Sequence, residues 1–222
     1  MADGTIGIGT ADPVSDAYVE GDKLILYGRT YIPPSWSDGT DFQIVQALQL
    51  HYNNSIDLRR YWTAGQERSI ELSDGKTVTY VLNSTQYDLV APIGNITKCC
   101  FSIWPKYIVH NHAYGRYIST RITWLKSTMR PWANDNYKNM FPASIQGILK
   151  QFVSPLNAND YFFCPNTNQG IMTDPEGTPQ RYWLGNTWPS DYPAEEYYIK
   201  VDGNRSSMSC SNSLGAFLVG AI

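Results

Sequence analysis

Arg181-Tyr182-Trp183-Leu184-Gly185, Glu196-Tyr197-Tyr198-Ile199-Lys200-Val201-Asp202-Gly203 and Ser213-Leu214-Gly215-Ala216-Phe217-Leu218-Val219-Gly220-Ala221-Ile222 are the runs whose reading decides the fold. Each is an apolar stretch of strand length. Between them lie loops of Asn, Ser, Asp, Tyr and Trp. That alternation suits a rigid β platform carrying adaptable polar and aromatic side chains. Little else in the chain reads as chemistry.

Working outward, Asn159–Pro165 reads as a buried strand through Tyr161-Phe162-Phe163, and a Gly/Pro/Asn-rich loop covers 165–180. Upstream, the spacing of Ile145, Ile148, Leu149 and Phe152 predicts a helix over 143–152. Another helix opens at Ser127-Thr128-Met129-Arg130-Pro131-Trp132, with Pro131 near the first turn where a missing amide costs little, and breaks at Phe141-Pro142. Arg68–Leu72 and Thr77–Leu82 flank Ser73-Asp74-Gly75-Lys76, a hairpin signal. Tyr87–Ala91 and Lys98–Trp104 continue the strand pattern, and 105–126 reads as aromatic and irregular. Thr40-Asp41-Phe42-Gln43 forms a capping box ahead of Ile44, Val45, Leu48 and Tyr52, which predicts a helix over 41–53. Residues 1–35 are rich in Gly, Pro and Asp, with one strand signal at Lys23-Leu24-Ile25-Leu26-Tyr27, and read as an arm that orders against a partner or the main domain. Helices in the middle with strands on both sides predict an α+β fold with antiparallel pairing.

The chain has 222 residues, 42% of them hydrophobic, so one large packed domain is expected over 36–222. Net charge is −3 and no Lys/Arg run appears, which argues against nucleic-acid binding through phosphates. No apolar stretch is long enough to span a bilayer. Met1-Ala2-Asp3-Gly4 has neither a basic nor an apolar signal region, so folding and assembly in the cytosol of the producing cell are expected. Aromatics reach 14%, which fits either a β-rich core or contact surfaces. The segment Phe101–Tyr117, with Trp104, Tyr107, Tyr114 and Tyr117, is open to the same two readings, core or subunit interface.

Cys99, Cys100, Cys164 and Cys210 fit no zinc spacing and are expected as buried free thiols. His110-Asn111-His112 could place two imidazoles on one strand face, but no third ligand follows, so a hydrogen-bonded pair is expected and no metal or other cofactor. Trp132-Ala133-Asn134-Asp135 lies near a calcium-lectin signature yet falls on a predicted helix, as its polar face. No nucleophile elbow and no activated cysteine is visible, so the chain is not expected to be an enzyme.

Taken in order, several motifs resemble one family. They are Trp36-Ser37-Asp38-Gly39-Thr40-Asp41, Tyr61-Trp62-Thr63-Ala64-Gly65, Ile70-Glu71-Leu72-Ser73-Asp74-Gly75, Met129-Arg130-Pro131-Trp132-Ala133-Asn134, Phe141-Pro142-Ala143-Ser144-Ile145-Gln146-Gly147-Ile148, and the terminal Tyr182-Trp183-Leu184, Val201-Asp202-Gly203 and Ser213-Leu214-Gly215. The series resembles phage and prophage virion proteins of gut Firmicutes phages that carry a C-type-lectin-like domain, whose relatives include variable proteins of diversity-generating retroelements. The resemblance implies a C-type-lectin-like domain over 36–222, with antiparallel strands and two or three helices, behind a virion-attachment arm over 1–35. It implies an adhesin at a tail tip, fibre end or capsid surface that binds a bacterial receptor, glycan or protein.

By position, the binding face implied by the resemblance holds Asn186, Trp188, Asp191, Tyr192, Glu195, Lys200, Asn204, Arg205, Ser207, Ser209 and Asn212. The arm, through Lys23, Leu24, Ile25, Leu26 and Tyr27, would dock on another virion protein by strand addition. A homo-oligomer is expected, such as a trimer, although no heptad pattern enforces one. The alternatives are a decoration or cement protein without receptor binding and, further off, an oxygenase of the formylglycine-generating type.

Overall fold

The computed structural model describes residues 17–20, 23–26, 29–83, 89–91, 97–98, 101–115, 124–152, 160–165, 168–187 and 195–222; for 17–20, 23–26, 29–30, 89–91, 97–98, 186–187 and 195–196 it describes the backbone alone. Tyr27, Cys99, Cys100, Tyr117, Trp188, Asp191 and Tyr192 lie outside these residues.

The first described elements are a three-stranded antiparallel sheet of β1 (Ala17–Glu20), β2 (Lys23–Leu26) and β3 (Arg29–Thr30). The predicted strand at Lys23 is therefore its centre, with both edges paired inside the chain. An added strand would meet β1 or β3 rather than Lys23–Leu26. The last residues of the arm are packed, not loose: Pro33 is buried, and the Pro34 carbonyl accepts from Trp62 Nε1 at 2.8 Å.

The first helix, Asp41–Tyr52, starts at the predicted capping box. The Thr40 amide donates to Gln43 Oε1 at 2.9 Å, and the Gln43 amide donates to Thr40 Oγ1 at 3.3 Å. The hairpin follows as β4 (Glu67–Glu71) and β5 (Thr77–Asn83), turning at Asp74-Gly75 with Gly75 at φ 82°. Its burial alternates, and Ile70, Val78, Tyr80 and Leu82 face the core. Buried Arg68 ties this hairpin to the residues before the helix. Its guanidinium donates to the carbonyls of Trp36 and Gly39 and pairs with Asp41.

Short strands come next: β6 (Leu89–Ala91), β7 (Thr97–Lys98), β8 (Ser102–Pro105) and β9 (Asn111–Ala113). The expected strand over Lys98–Trp104 is thus two separate strands. The segment read as irregular contains β9 and a 3-10 turn at Trp124–Lys126. Of the aromatics over 101–117, Phe101 and Tyr114 are buried and Trp104 packs edge-on against Phe217.

The expected second helix is one rod of three parts. An α turn, Met129–Pro131, leads into a π-helical stretch, Trp132–Tyr137, and an α turn, Lys138–Met140. The third helix is Ala143–Ile148 and is shorter than the periodicity suggested. Leu149 takes an extended conformation, and Phe152 enters β10 (Gln151–Phe152), paired with β6 and bridged to Asp160. Leu149 thus caps the helix, and of the two only Phe152 belongs to a strand. The strand expected over Asn159–Pro165 is reduced to β11 (Phe162–Phe163).

The carboxyl-terminal part holds β12 (Met172–Thr173), β13 (Pro179–Gln180), β14 (Tyr182–Thr187), β15 (Glu195–Ile199), β16 (Arg205–Ser209), β17 (Ser213–Gly215) and β18 (Val219–Ala221). Two five-stranded sheets result. One has the order β11-β18-β8-β5-β4 and the other β16-β15-β14-β17-β9. Strands β14 and β17 pair in parallel, and every other pair among the described strands is antiparallel. The fold is therefore mixed α and β with mainly antiparallel sheets and few helices.

The main core joins the first helix, the hairpin, the π-helical rod and β11. Tyr137 packs edge-on against Phe141 and Phe162 with ring centroids 5.2 Å away, and its hydroxyl lies 3.0 Å from that of Tyr80. Burial pushes both phenols well above the ordinary tyrosine pKa, so both stay neutral hydrogen-bonding groups. Among the described residues, no helix is long and apolar enough to cross a membrane.

Candidate binding face

The candidate face is built on β14. Its Tyr182-Trp183-Leu184 run is buried on both sides of the sheet because successive side chains point opposite ways. Trp183 joins the main core with Tyr198 and Leu214, while Tyr182 and Leu184 join a second cluster with Ile108, Ile199, Phe217 and Val219. The Trp183 indole donates to the His112 carbonyl at 2.9 Å. A sheet clamped between two cores is a stiff base for whatever its outermost strand carries.

That outermost strand is β16, paired with β15 in the register Ile199↔Arg205, Tyr197↔Ser207 and Glu195↔Ser209. Arg205, Ser207 and Ser209 therefore share one face with Tyr197 and Ile199. The Arg205 guanidinium lies 3.5 Å from the Tyr197 ring centroid, a cation–π contact that fixes its direction.

The turn from β15 to β16 is closed by two backbone bonds, Lys200 amide to Asn204 carbonyl at 2.9 Å and Gly203 amide to Lys200 carbonyl at 3.0 Å. Gly203 sits at φ 80°, where a side chain would be strained. The Asn204 amide donates to Asp202 Oδ1 at 2.9 Å and holds that carboxyl below its usual pKa. This turn is also tethered from outside. Asn168 Nδ2 donates to the Gly203 carbonyl at 3.1 Å. The neighbouring loop residues are held by buried Tyr182, whose hydroxyl accepts from the Gln169 amide at 2.9 Å and donates to the Gly170 carbonyl at 3.0 Å. Burial pushes the Tyr182 phenol up to about 12.

The turn after β16 is closed by Asn212. Both its backbone amide and its Nδ2 donate to the Ser209 carbonyl, at 3.1 and 3.0 Å, while Ser209 Oγ lies 2.9 Å from Ser211 Oγ. At Gly215, where β14 and β17 run side by side, a Cβ would come within 2.7 Å of the Arg181 carbonyl oxygen, so only glycine permits the approach.

The structure thus gathers Lys200, Asn204, Arg205, Ser207, Ser209 and Asn212 on one strand and its two turns. Glu195 stands opposite Ser209 in register, and Asn186 belongs to β14. Trp188, Asp191 and Tyr192 lie outside the described residues. Sequence reasoning missed Tyr197, although the strand alternation that places Arg205 outward also places Tyr197 beside it.

The histidine pair is structural in its contacts. His110 Nε2 lies 2.8 Å from Asp74 Oδ2, and His112 stacks on Trp132 with centroids 4.6 Å apart. Burial pulls His110 below the usual imidazole pKa, opposed by the Asp74 hydrogen bond. Cys164 and Cys210 are buried thiols, and Cys164 Sγ donates to the Trp183 carbonyl at 3.1 Å. Among the described residues, no group of three or more His, Cys, Asp or Glu is arranged to hold a metal ion. Compared with known proteins, the chain matches no family model, no curated protein and no solved structure.

Proposed function

We propose that the chain is a virion adhesin of a phage, with a C-type-lectin-like domain that binds a receptor on the bacterial surface. The motif series along 36–222 supports the family assignment, and the mainly antiparallel architecture is compatible with it. The observation that carries the reading is the polar strand Arg205–Ser209 with its two tied turns, mounted on a sheet packed on both faces. Preorganised polar and aromatic groups of this kind bind with little ordering cost, and many copies on a particle would add avidity. No cofactor and no catalytic step is part of this reading.

A decoration role is the second reading. Ile32, in the arm, and Phe42, in the first helix, favour it, being 73% and 75% exposed, so that another particle subunit could cover them. Deleting the domain separates the two. An adhesin loses adsorption while the particles stay intact, and a decoration protein gives fragile particles that adsorb normally. Purified chain should also block infection if it is the adhesin.

A further inference from the structure

The carboxyl-terminal half of the first helix and the helix Ala143–Ile148 leave a cavity of about 330 Å³ between them. Buried Leu48 and Ile148 form its apolar floor. Gln49 and Asn53, both exposed, also line it. Lys150 closes one side, with its ammonium 4.2 Å from the centroid of the Tyr52 ring. The backbone of Lys150 is fixed, since its amide donates to the Ala221 carbonyl at 2.8 Å. No carboxylate among the described residues pairs with Lys150. Partial burial pulls its pKa below the ordinary lysine value.

The remaining wall is Gly147, and it is informative. A Cβ built there meets nothing within 4 Å. Neither a tight approach nor a positive φ calls for glycine, and glycine weakens a helix by about 1 kcal/mol relative to alanine. What glycine provides at this position is an open groove.

We propose that this groove binds a small carboxylate ligand with an apolar face, of the uronic-acid class. The cavity lies at the lower end of the roughly 300–1,000 Å³ typical of small-molecule sites, which sets a monosaccharide-sized occupant. One ammonium matches one negative charge. The first helix presents its carbonyl end here, with Asn53 as its cap, which opposes any anion; the single Lys150 ammonium must offset that, so one negative charge is matched and a dianion is not. Carboxamides both donate and accept, as ring hydroxyls require, and Leu48 and Ile148 suit the C–H face of a pyranose. None of these residues belongs to the β16 face, so the proposal stands apart from the adhesin reading.

The test is calorimetric titration of the full chain with D-glucuronate, and with D-glucose as the neutral counterpart. Two variants accompany it, Lys150→Met and Gly147→Met. The second fills the groove at a position with room for a side chain and favours the helix, so its midpoint of unfolding should equal or exceed that of the unaltered chain. The expected result is glucuronate binding at least about tenfold tighter than glucose, a preference lost in Lys150→Met, and no binding to Gly147→Met. Equal affinity for the two sugars, absence of glucuronate binding, or unchanged binding to a folded Gly147→Met would overturn the proposal.

Discussion

Asn134 meets the backbone of Tyr161 and Phe162 as a neighbouring strand would. Its Nδ2 donates to the Phe162 carbonyl at 3.0 Å, its Oδ1 accepts from the Phe162 amide at 3.0 Å and from the Tyr161 amide, and its Nδ2 also reaches the Arg130 carbonyl. Asn134→Ala would strand these groups and should cost about 2–4 kcal/mol, read as a fall in denaturant midpoint at unchanged slope. The near-lectin tetrapeptide at 132–135 thus has a structural assignment in this chain, with Asn134 bonded to backbone and Trp132 stacked on His112. His110 and His51 give the fold an acid sensitivity. Burial is the leading cause that lowers both imidazoles, so each binds a proton less readily folded than unfolded. Their contribution is complete above the unfolded value of about 6.5 and is lost as pH falls from there toward the folded values. Chemical denaturation at stepped pH should show stability declining between about pH 7 and pH 5, with a shallower decline in His110→Gln. A flat profile in the unaltered chain would contradict the lowered affinity of these imidazoles for protons.

Among the elements, the turn joining β15 to β16 depends on a residue that is not part of it. Tyr182 anchors Gln169 and Gly170, and Asn168 beside them holds Gly203. Tyr182→Phe keeps the ring in its cluster and removes only the hydroxyl. It should cost about 1–3 kcal/mol and speed amide exchange at Gly203 and Asn204 more than at Trp183. Uniform exchange across all three would show that the tether does not exist. The sequence was most legible where a local device sets the element. The Thr40–Gln43 capping box and the Asp74-Gly75 turn both stand where their residues placed them. It misled where the partner is distant. Leu149 and Phe152 keep helical spacing, yet Phe152 pairs with Val90 and bridges Asp160. Asn111–Ala113, inside the stretch read as irregular, forms a strand against Ser213–Gly215, about a hundred residues away. The polar strand Arg205–Ser209 was readable as a set of candidates, whereas the groove at Gly147 was not, because its two walls are about a hundred residues apart in sequence.

The whole molecule divides its labour by packing. Two cores clamp the carboxyl-terminal sheet, Arg68 locks the residues before the first helix onto the hairpin, and the polar residues of β16 stand at the sheet's outer limit. On the proposed reading, stability and contact would be carried by different residues, and substitutions on the contact surface should leave the fold intact. Charge reversal at Lys200 and Arg205 tests that separation, since both lie on the turn and strand that form the face. For the proposed adhesin, the decisive measurement is adsorption of purified chain to bacterial cells that bind the unaltered protein, comparing it with Lys200→Glu/Arg205→Glu. We predict a loss of at least about tenfold in apparent affinity with the midpoint of unfolding nearly unchanged. Equal adsorption of the two proteins, at equal stability, would contradict the assignment of this strand and its turns as the contact surface.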